Sequence, residues 1–250
     1  MLWALADHVR WPALGVEPGA EVSRAGSTLH VGQDLRFDFA GAQIWQAPAS
    51  PPFSPATLRL GLARLAASAR QREPGGLGML LSALPGSFVE APECPLLHAA
   101  LPPIRAIRSW IGAALAGALV PPPPEIELLI GLGPGLTPSG DDFLCGAMAA
   151  LHYLRYARIA EQFALHTLPF AVRGTNLISA AYLRCAAAGE ASSVLFDALE
   201  SLITVDVEAR FALRLDAINT VGHTSGWDSL AGAATVCAEL AEFHAASDRR

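Results

Sequence analysis

The spacing of hydrophobic and polar positions changes character near residue 50. Upstream, STLHVGQDLRFDFAGAQIWQA alternates apolar and polar residues in short bursts between glycines, which predicts two or three antiparallel strands. A proline-rich SPPFSP connection follows. From residue 54 the period becomes helical. SPATLRLGLARLAASARQ opens with Ser54 as a cap and Pro55 in the first helical position, and spaces Leu58, Leu60, Leu62 and Leu65 at roughly helical intervals. GGLGMLLSAL reads as either a short strand or a short helix. LPPIRAIRSWIGAALAGAL predicts a helix that stops at the prolines of residues 121–124. The apolar EIELLIGLG reads as a buried strand or an extended approach. DFLCGAMAALHYLRYARIAEQF is helical and apolar on nearly every face as far as Tyr156, the pattern of a helix in the middle of a core. TNLISAAYLRCAAAG predicts a helix capped by Thr175 or Asn176 and ended near Gly189. ASSVLFDALESL and VEARFALRLDAI follow, and a last helix runs from about Trp227 to Phe243. The expected fold is therefore α+β, with a small β-containing N-terminal portion over residues 1–53 and a larger, mostly helical portion over 54–250.

Composition narrows this picture. With 250 residues, 52% hydrophobic and only 16% charged, the chain can bury a sizeable core. So apolar a surface predicts burial against a partner, which includes a second copy of the chain in a homo-oligomer. The net charge of -6 comes with no cluster of Lys and Arg, which argues against a nucleic-acid-binding face. It leaves room for a small anionic substrate held by one local nest or arginine. Cys94, Cys145, Cys185 and Cys237 are widely spaced and form no metal-binding pair. The opening MLWALADHVRW lacks the basic start of a secretory leader. Reduced cysteines and a cytoplasmic location are expected. The apolar SWIGAALAGALVPPPP is too short to span a bilayer, so no membrane association is expected.

One segment concentrates candidate chemistry. GLGPGLTPSGDDFLCG, Gly131 to Gly146, sets a glycine turn and two adjacent acids at the mouth of the apolar helix. Gly131, Gly133 and Gly135 permit positive φ and a close backbone approach to a ligand, with Leu136 expected to anchor the turn inward. Two helix starts fit: Thr137 as cap with Pro138 in the first helical position, or Ser139 as cap with Asp142 reciprocating. Either one turns free N–H groups at Ser139 and Gly140 toward a phosphate, carboxylate or carbamoyl oxygen. Adjacent helical residues point about 100° apart, so Asp141 and Asp142 need not share a task. If both face the site, Mg²⁺ or an N–H-rich group would reconcile them with an anion. The spacing fits neither a Walker A loop nor a dinucleotide fingerprint.

The segment has an echo. GHTSGWDSLAG, Gly222 to Gly232, repeats GLTPSGDDFLCG with one proline fewer, so that Thr137, Ser139, Gly140, Asp142 and Gly146 answer Thr224, Ser225, Gly226, Asp228 and Gly232. Two helix starts of this kind either face each other across one pocket or serve as separate structural caps. The repeat shifts emphasis from Asp141 to Asp142. His223, in the second turn, is placed to contact an anion or act as acid or base, or else bonds only to its own loop. Arg173, Thr175, Asn176 and Ser179 open a third polar helix start, where Arg173 suits a bidentate anion contact and plain capping is the alternative. Cys145 has no base nearby and reads as a packed thiol, His152 as a core residue, and Trp227 as packing for the second turn or a ligand wall.

These motifs can be placed in a family. GLGPGLTPSGDDFLCG, TNLISAAYLRCAAAG and GHTSGWDSLAG resemble the AllH-like family, a domain of unknown function associated with oxamate carbamoyltransferase. The likeness spans about residues 125–240 and is loose in the N-terminal third. It implies a subunit of a multi-subunit enzyme of allantoin and purine breakdown that converts oxalurate and phosphate into oxamate and carbamoyl phosphate. It also implies other subunits as partners. On that reading the helix ends at Ser139–Gly140 and Ser225–Gly226 hold phosphate or a small carboxylate, with Arg173 and His223 orienting the anions. Two alternatives stand beside it: a Mg-dependent phosphotransfer or acyl-phosphate enzyme using Asp141 and Asp142, and a non-catalytic assembly subunit.

Overall fold

In the computed structural model the described residues are 16–17, 19–33, 35–84, 94–204 and 206–247. The opening MLWALADHVRW lies outside them. The chain divides into two compact units, Met1–Gln46 and Ala47–Arg250. The first holds an antiparallel sheet in the order β1 (Val22–Ala25), β2 (Thr28–Val31), β3 (Leu35–Asp38). Val22 pairs with Val31, and Thr28 with Asp38. A small three-stranded N-terminal sheet and a mostly helical remainder are thus what the alternating and helical periods predict.

The second unit is built of helices. In α1 (Pro55–Arg72) the Ser54 hydroxyl accepts the N–H of Thr57 at 3.1 Å while Thr57 Oγ1 accepts the N–H of Ser54 at 3.0 Å, so two end donors are satisfied reciprocally. Leu58, Leu62 and Leu65 of α1 are fully buried; Leu60 lies off that stripe and is exposed. GGLGMLLSAL forms a 3-10 helix, Gly76–Ala83. Helix α2 (Pro95–Leu115) begins upstream of the expected start, carries Pro102 and Pro103 inside it, and ends before the run of prolines. Its exit is pinned by Trp110, whose Nε1 donates to the Val120 carbonyl at 3.1 Å.

Two elements differ from the sequence expectation. EIELLI is no strand: Pro124–Leu129 is a 3-10 helix that buries Ile126 and Leu129. Positions three apart eclipse in that geometry, so one apolar face suffices to bury both. The long apolar helix is broken into α3 (Ser139–Tyr153) and α4 (Ala157–Gly174). Arg155 takes φ 68° at the break, and the N–H of Tyr156 closes onto the Leu151 carbonyl at 2.8 Å, a left-handed helix stop. Then come α5 (Leu177–Ala187), α6 (Ser193–Ile203), α7 (Glu208–Asn219) and α8 (Ser225–Ser247), the last starting two residues before Trp227. Asn176, not Thr175, caps α5, accepting the N–H groups of Ile178 and Ser179 at 3.0 Å each.

α3 and α8 form the centre. An added Cβ at Gly146 would overlap the Ser229 carbonyl, and one at Gly232 would overlap the Phe143 carbonyl. Each helix presents a glycine to the other's backbone at the crossing. The contact is backbone to backbone, and it holds the two N-terminal ends side by side.

Candidate functional site: a duplicated turn around a small pocket

The two turns share a backbone pattern. Before α3, the N–H of Leu132 donates to Leu129 O, that of Gly140 to Leu132 O and that of Asp142 to Pro138 O, at 3.1, 2.9 and 3.0 Å. Before α8, Val221 donates to Ile218 O, Gly226 to Val221 O and Asp228 to Thr224 O, at 3.1, 3.0 and 2.9 Å. Gly140 packs onto the Leu129 carbonyl as Gly226 packs onto the Ile218 carbonyl. Gly133, at φ 110°, faces Ser139 as Gly222, at φ 61°, faces Ser225. The structural counterpart of Gly222 is thus Gly133. Gly135 stands in the extra residues of the first turn, with open space where a Cβ would go.

Neither expected cap forms. Ser139 and Ser225 are the first helical residues, and the cap of α3 is Pro138, with no side-chain bond. The serine hydroxyls are freed to cross between the turns: Thr137 Oγ1 and Ser225 Oγ lie 2.8 Å apart. The aspartates complete an interlocked arrangement. Asp142 is influenced by the hydroxyls of Ser225 and Thr137, and Asp228 by those of Thr224 and Ser139. Each acid thus sees one threonine of its own turn and the serine of the other. The hydroxyl pair at 2.8 Å spends one hydrogen on itself, which leaves the second for the Asp142 carboxylate.

Burial pushes the Asp142 carboxyl up to about 7, against the two hydroxyls, with Asp228 and Asp141 adding to the rise. Burial also raises Asp228, opposed by Thr224, Ser139 and the amides of Leu77 and Gly78. Oδ2 of each of these aspartates is buried without a hydrogen-bond partner.

Asp141 has a different task. Fully buried, it accepts the Gly131 N–H at 2.9 Å through Oδ1, and the hydroxyls of Thr175 and Ser179 at 2.5 and 2.7 Å through Oδ2. Asn176 adds a bond from Nδ2 to the Leu136 carbonyl at 2.8 Å. This set fastens the start of α5 to the glycine turn. Asp141 and Asp142 point to different neighbours, and the three donors on Asp141 leave little of its carboxylate for a cation. Among the described residues no group of three or more His, Cys, Asp or Glu is placed to hold a metal ion.

A cavity of about 270 Å³ opens beside Asp142, lined among others by Thr137, Ser225, Cys145, Tyr182 and Glu190. Of the residues singled out in the sequence, Thr137, Asp142 and Ser225 come together here. Ser139, Thr224 and Asp228 form the other half of the interlock, and the amides of Gly140 and Gly226 are spent inside their own turns. His223 and Arg173 are exposed and do not line the cavity. Leu136 points outward, 67% exposed, because the turn is held by Asp141 and Asn176 rather than by an apolar anchor. Trp227 is buried and donates to Asn219 Oδ1 at 2.9 Å, so it packs the second turn. Cys145 is half-buried on the cavity wall, and burial raises its titration, with Asp142 and Asp141 contributing. Tyr182 and Glu190 carried no local signal in the sequence. The spacing of α5 alone could have shown Tyr182 sharing a face with Ser179 and Ala186.

The fold and site together define a mostly helical protein whose central helix pair carries a duplicated Ser-Gly-x-Asp turn closing on a small pocket. Residues 129–237 match the family model of the oxamate carbamoyltransferase subunit AllH. The segment runs from Leu129, beneath Gly140, to Cys237 in α8, so both turns, α5 and the pocket lie inside it. The resemblance to the AllH family therefore holds over the part of the chain that carries the site. No solved structure matches the chain. Among the described residues no helix is long and apolar enough to cross a membrane.

Proposed function

We propose that the chain serves as a subunit of an oxamate carbamoyltransferase-type assembly in purine catabolism, and that the pocket at Asp142 holds its small substrate. The carrying observation is the convergence of both repeated turns at one place, with Thr137 and Ser225 joined at 2.8 Å on the wall of a small cavity within the family-matched segment. Transfer of a carbamoyl group between oxamate and phosphate requires an amide nitrogen to be positioned, a carbonyl polarised and a proton moved as the C–N bond breaks or forms. Hydroxyls and a carboxyl that titrates near neutrality suit the first and last of these tasks. The pocket lining holds carboxylates and hydroxyls but no Arg or Lys. A phosphate would thus meet its cation from outside this lining, from a partner subunit or from the exposed Arg173 and His223. Exposed Leu177 and Tyr182 at 87% and 58%, with Leu136, give the partner an apolar face beside the pocket.

The test is reconstitution with the other subunits, following phosphate release from carbamoyl phosphate on addition of oxamate. Activity dependent on this subunit, and reduced at least tenfold in kcat/KM by Asp142→Asn, supports the proposal. Full activity of the variant complex would leave the chain an assembly subunit.

A further inference from the structure

The two halves of the repeat differ in what rests on their carboxylates. Asp228 is occupied by the chain itself. Its Oδ1 accepts the backbone N–H of Leu77 at 2.5 Å, in the first turn of the 3-10 helix Gly76–Ala83. Gly75, the cap residue of that helix, offers no side chain, so Asp228 supplies the cap from across the fold. Gly76, at φ 61°, is pressed so close that any Cβ would overlap the Asp228 carboxylate. A neutral backbone amide has been fitted onto an aspartate flanked by a threonine and a serine.

Asp142 has the same flanks and no such occupant. Among the described residues no backbone N–H donates to it, and in place of a glycine segment lies the cavity of about 270 Å³. Only 7% exposed, Asp142 keeps a buried, unpartnered Oδ2. An acid so placed gains from a hydrogen-bond donor brought to it, and the other half shows which kind fits.

We propose that this cavity takes a planar carboxamide or ureido group, whose N–H donates to Asp142 as the Leu77 amide donates to Asp228. The carbonyl oxygen of that group meets the hydroxyls of Thr137 or Ser225. A carboxylate at the far end of the ligand points away from Asp142 and from Glu190, which repel it. The inference rests on the pocket being the substrate site, and it names the end of the substrate that enters first: the amide, not the anion. It also sets the discrimination. Oxalate has the size of oxamate but presents a second carboxylate where the amide should be, and a site built for N–H donors rejects such an analogue strongly.

The test is a calorimetric titration of the full chain with oxamate, oxalate, urea and acetamide. Oxamate and the two simple amides bind, oxalate binds at least tenfold more weakly, and Asp142→Asn weakens the amides about tenfold by removing a charge-assisted acceptor. Circular dichroism checks that Asp142→Asn keeps the fold. Equal binding of oxalate and oxamate by the unaltered chain would overturn the inference, and so would methylguanidinium or Mg²⁺ displacing urea, or an absence of binding by every amide. Urea and acetamide binding through Asp142 while oxamate fails would uphold amide recognition and remove oxamate as the substrate.

Discussion

Replacing Asp142 by Asn should make the unliganded chain more stable, and increasingly so as pH rises. The Asp142 carboxyl moves from 3.8 to about 7 on folding because burial penalises its charged form. An acid raised in this way takes up a proton on folding. Its stabilisation is complete below 3.8 and is lost as the pH climbs through 7. Each pH unit of that interval is worth about 1.4 kcal/mol, so the full rise corresponds to a loss on the order of 4 kcal/mol. Asn keeps the shape and removes the charge. At pH 4 the variant should match the parent to within about 1 kcal/mol, and at pH 8 it should exceed it by several kcal/mol. Thermal unfolding at both pH values, with no ligand added and followed by far-ultraviolet circular dichroism, measures the difference. A variant less stable than the parent at pH 8 would refute the reasoning, because the buried charge would then be stabilised by neighbours rather than strained. A gain in stability with a loss of ligand affinity is the pattern of a residue kept for function against the interest of the fold.

The remaining predictions concern the frame around that residue. Gly232→Ala drives a methyl into the Phe143 carbonyl where α3 and α8 touch, and should cost about 2 kcal/mol or more, read from the urea midpoint. Asp141→Ala strips the acceptor from the Gly131 N–H and from Thr175 and Ser179; a loss of about 3 kcal/mol and faster hydrogen exchange at the start of α5 are expected. Gly76→Ala should destabilise through both its φ of 61° and the overlap with Asp228, without changing the affinity of the Asp142 pocket for urea. Leu177→Glu, at an 87% exposed site, should leave the urea midpoint within about 0.5 kcal/mol of the parent while abolishing co-purification with partner subunits.

Much of this frame can be read from the residues themselves. Ser54-Pro55 announces its helix start, and Thr175-Asn176 narrows the start of α5 to two positions, because capping is local chemistry; α3 announces its central place because its run from Phe143 to Leu151 is apolar throughout. The echo between the turns is visible as spacing, and it directs attention to Asp142 in place of Asp141. What lies beyond reach depends on distant partners. Which glycine answers Gly222 is decided by contact with Ser139, and Gly133 makes that contact although Gly135 is nearer in sequence. The echo separates Asp141 from Asp142, but not what each of them touches. One faces α5, the other the pocket, because Thr175 and Ser179 arrive on one side only. Glu190 enters the lining from beyond the end of α5, a position set by tertiary packing that no local pattern encodes. GGLGMLLSAL is ambiguous, and EIELLI reads wrongly as extended, for a related reason: apolar runs of six to eight residues suit a strand or a helix until a neighbour decides.

The claim at the centre is that the two turns together form one substrate pocket, entered amide first. A crystal structure of the chain soaked with oxamate tests it most directly. Density is expected in the cavity between Thr137, Asp142 and Ser225, with the ligand nitrogen within hydrogen-bond distance of the Asp142 carboxylate and its carboxylate turned outward. Oxamate bound elsewhere, or seated with its carboxylate against Asp142, would contradict it.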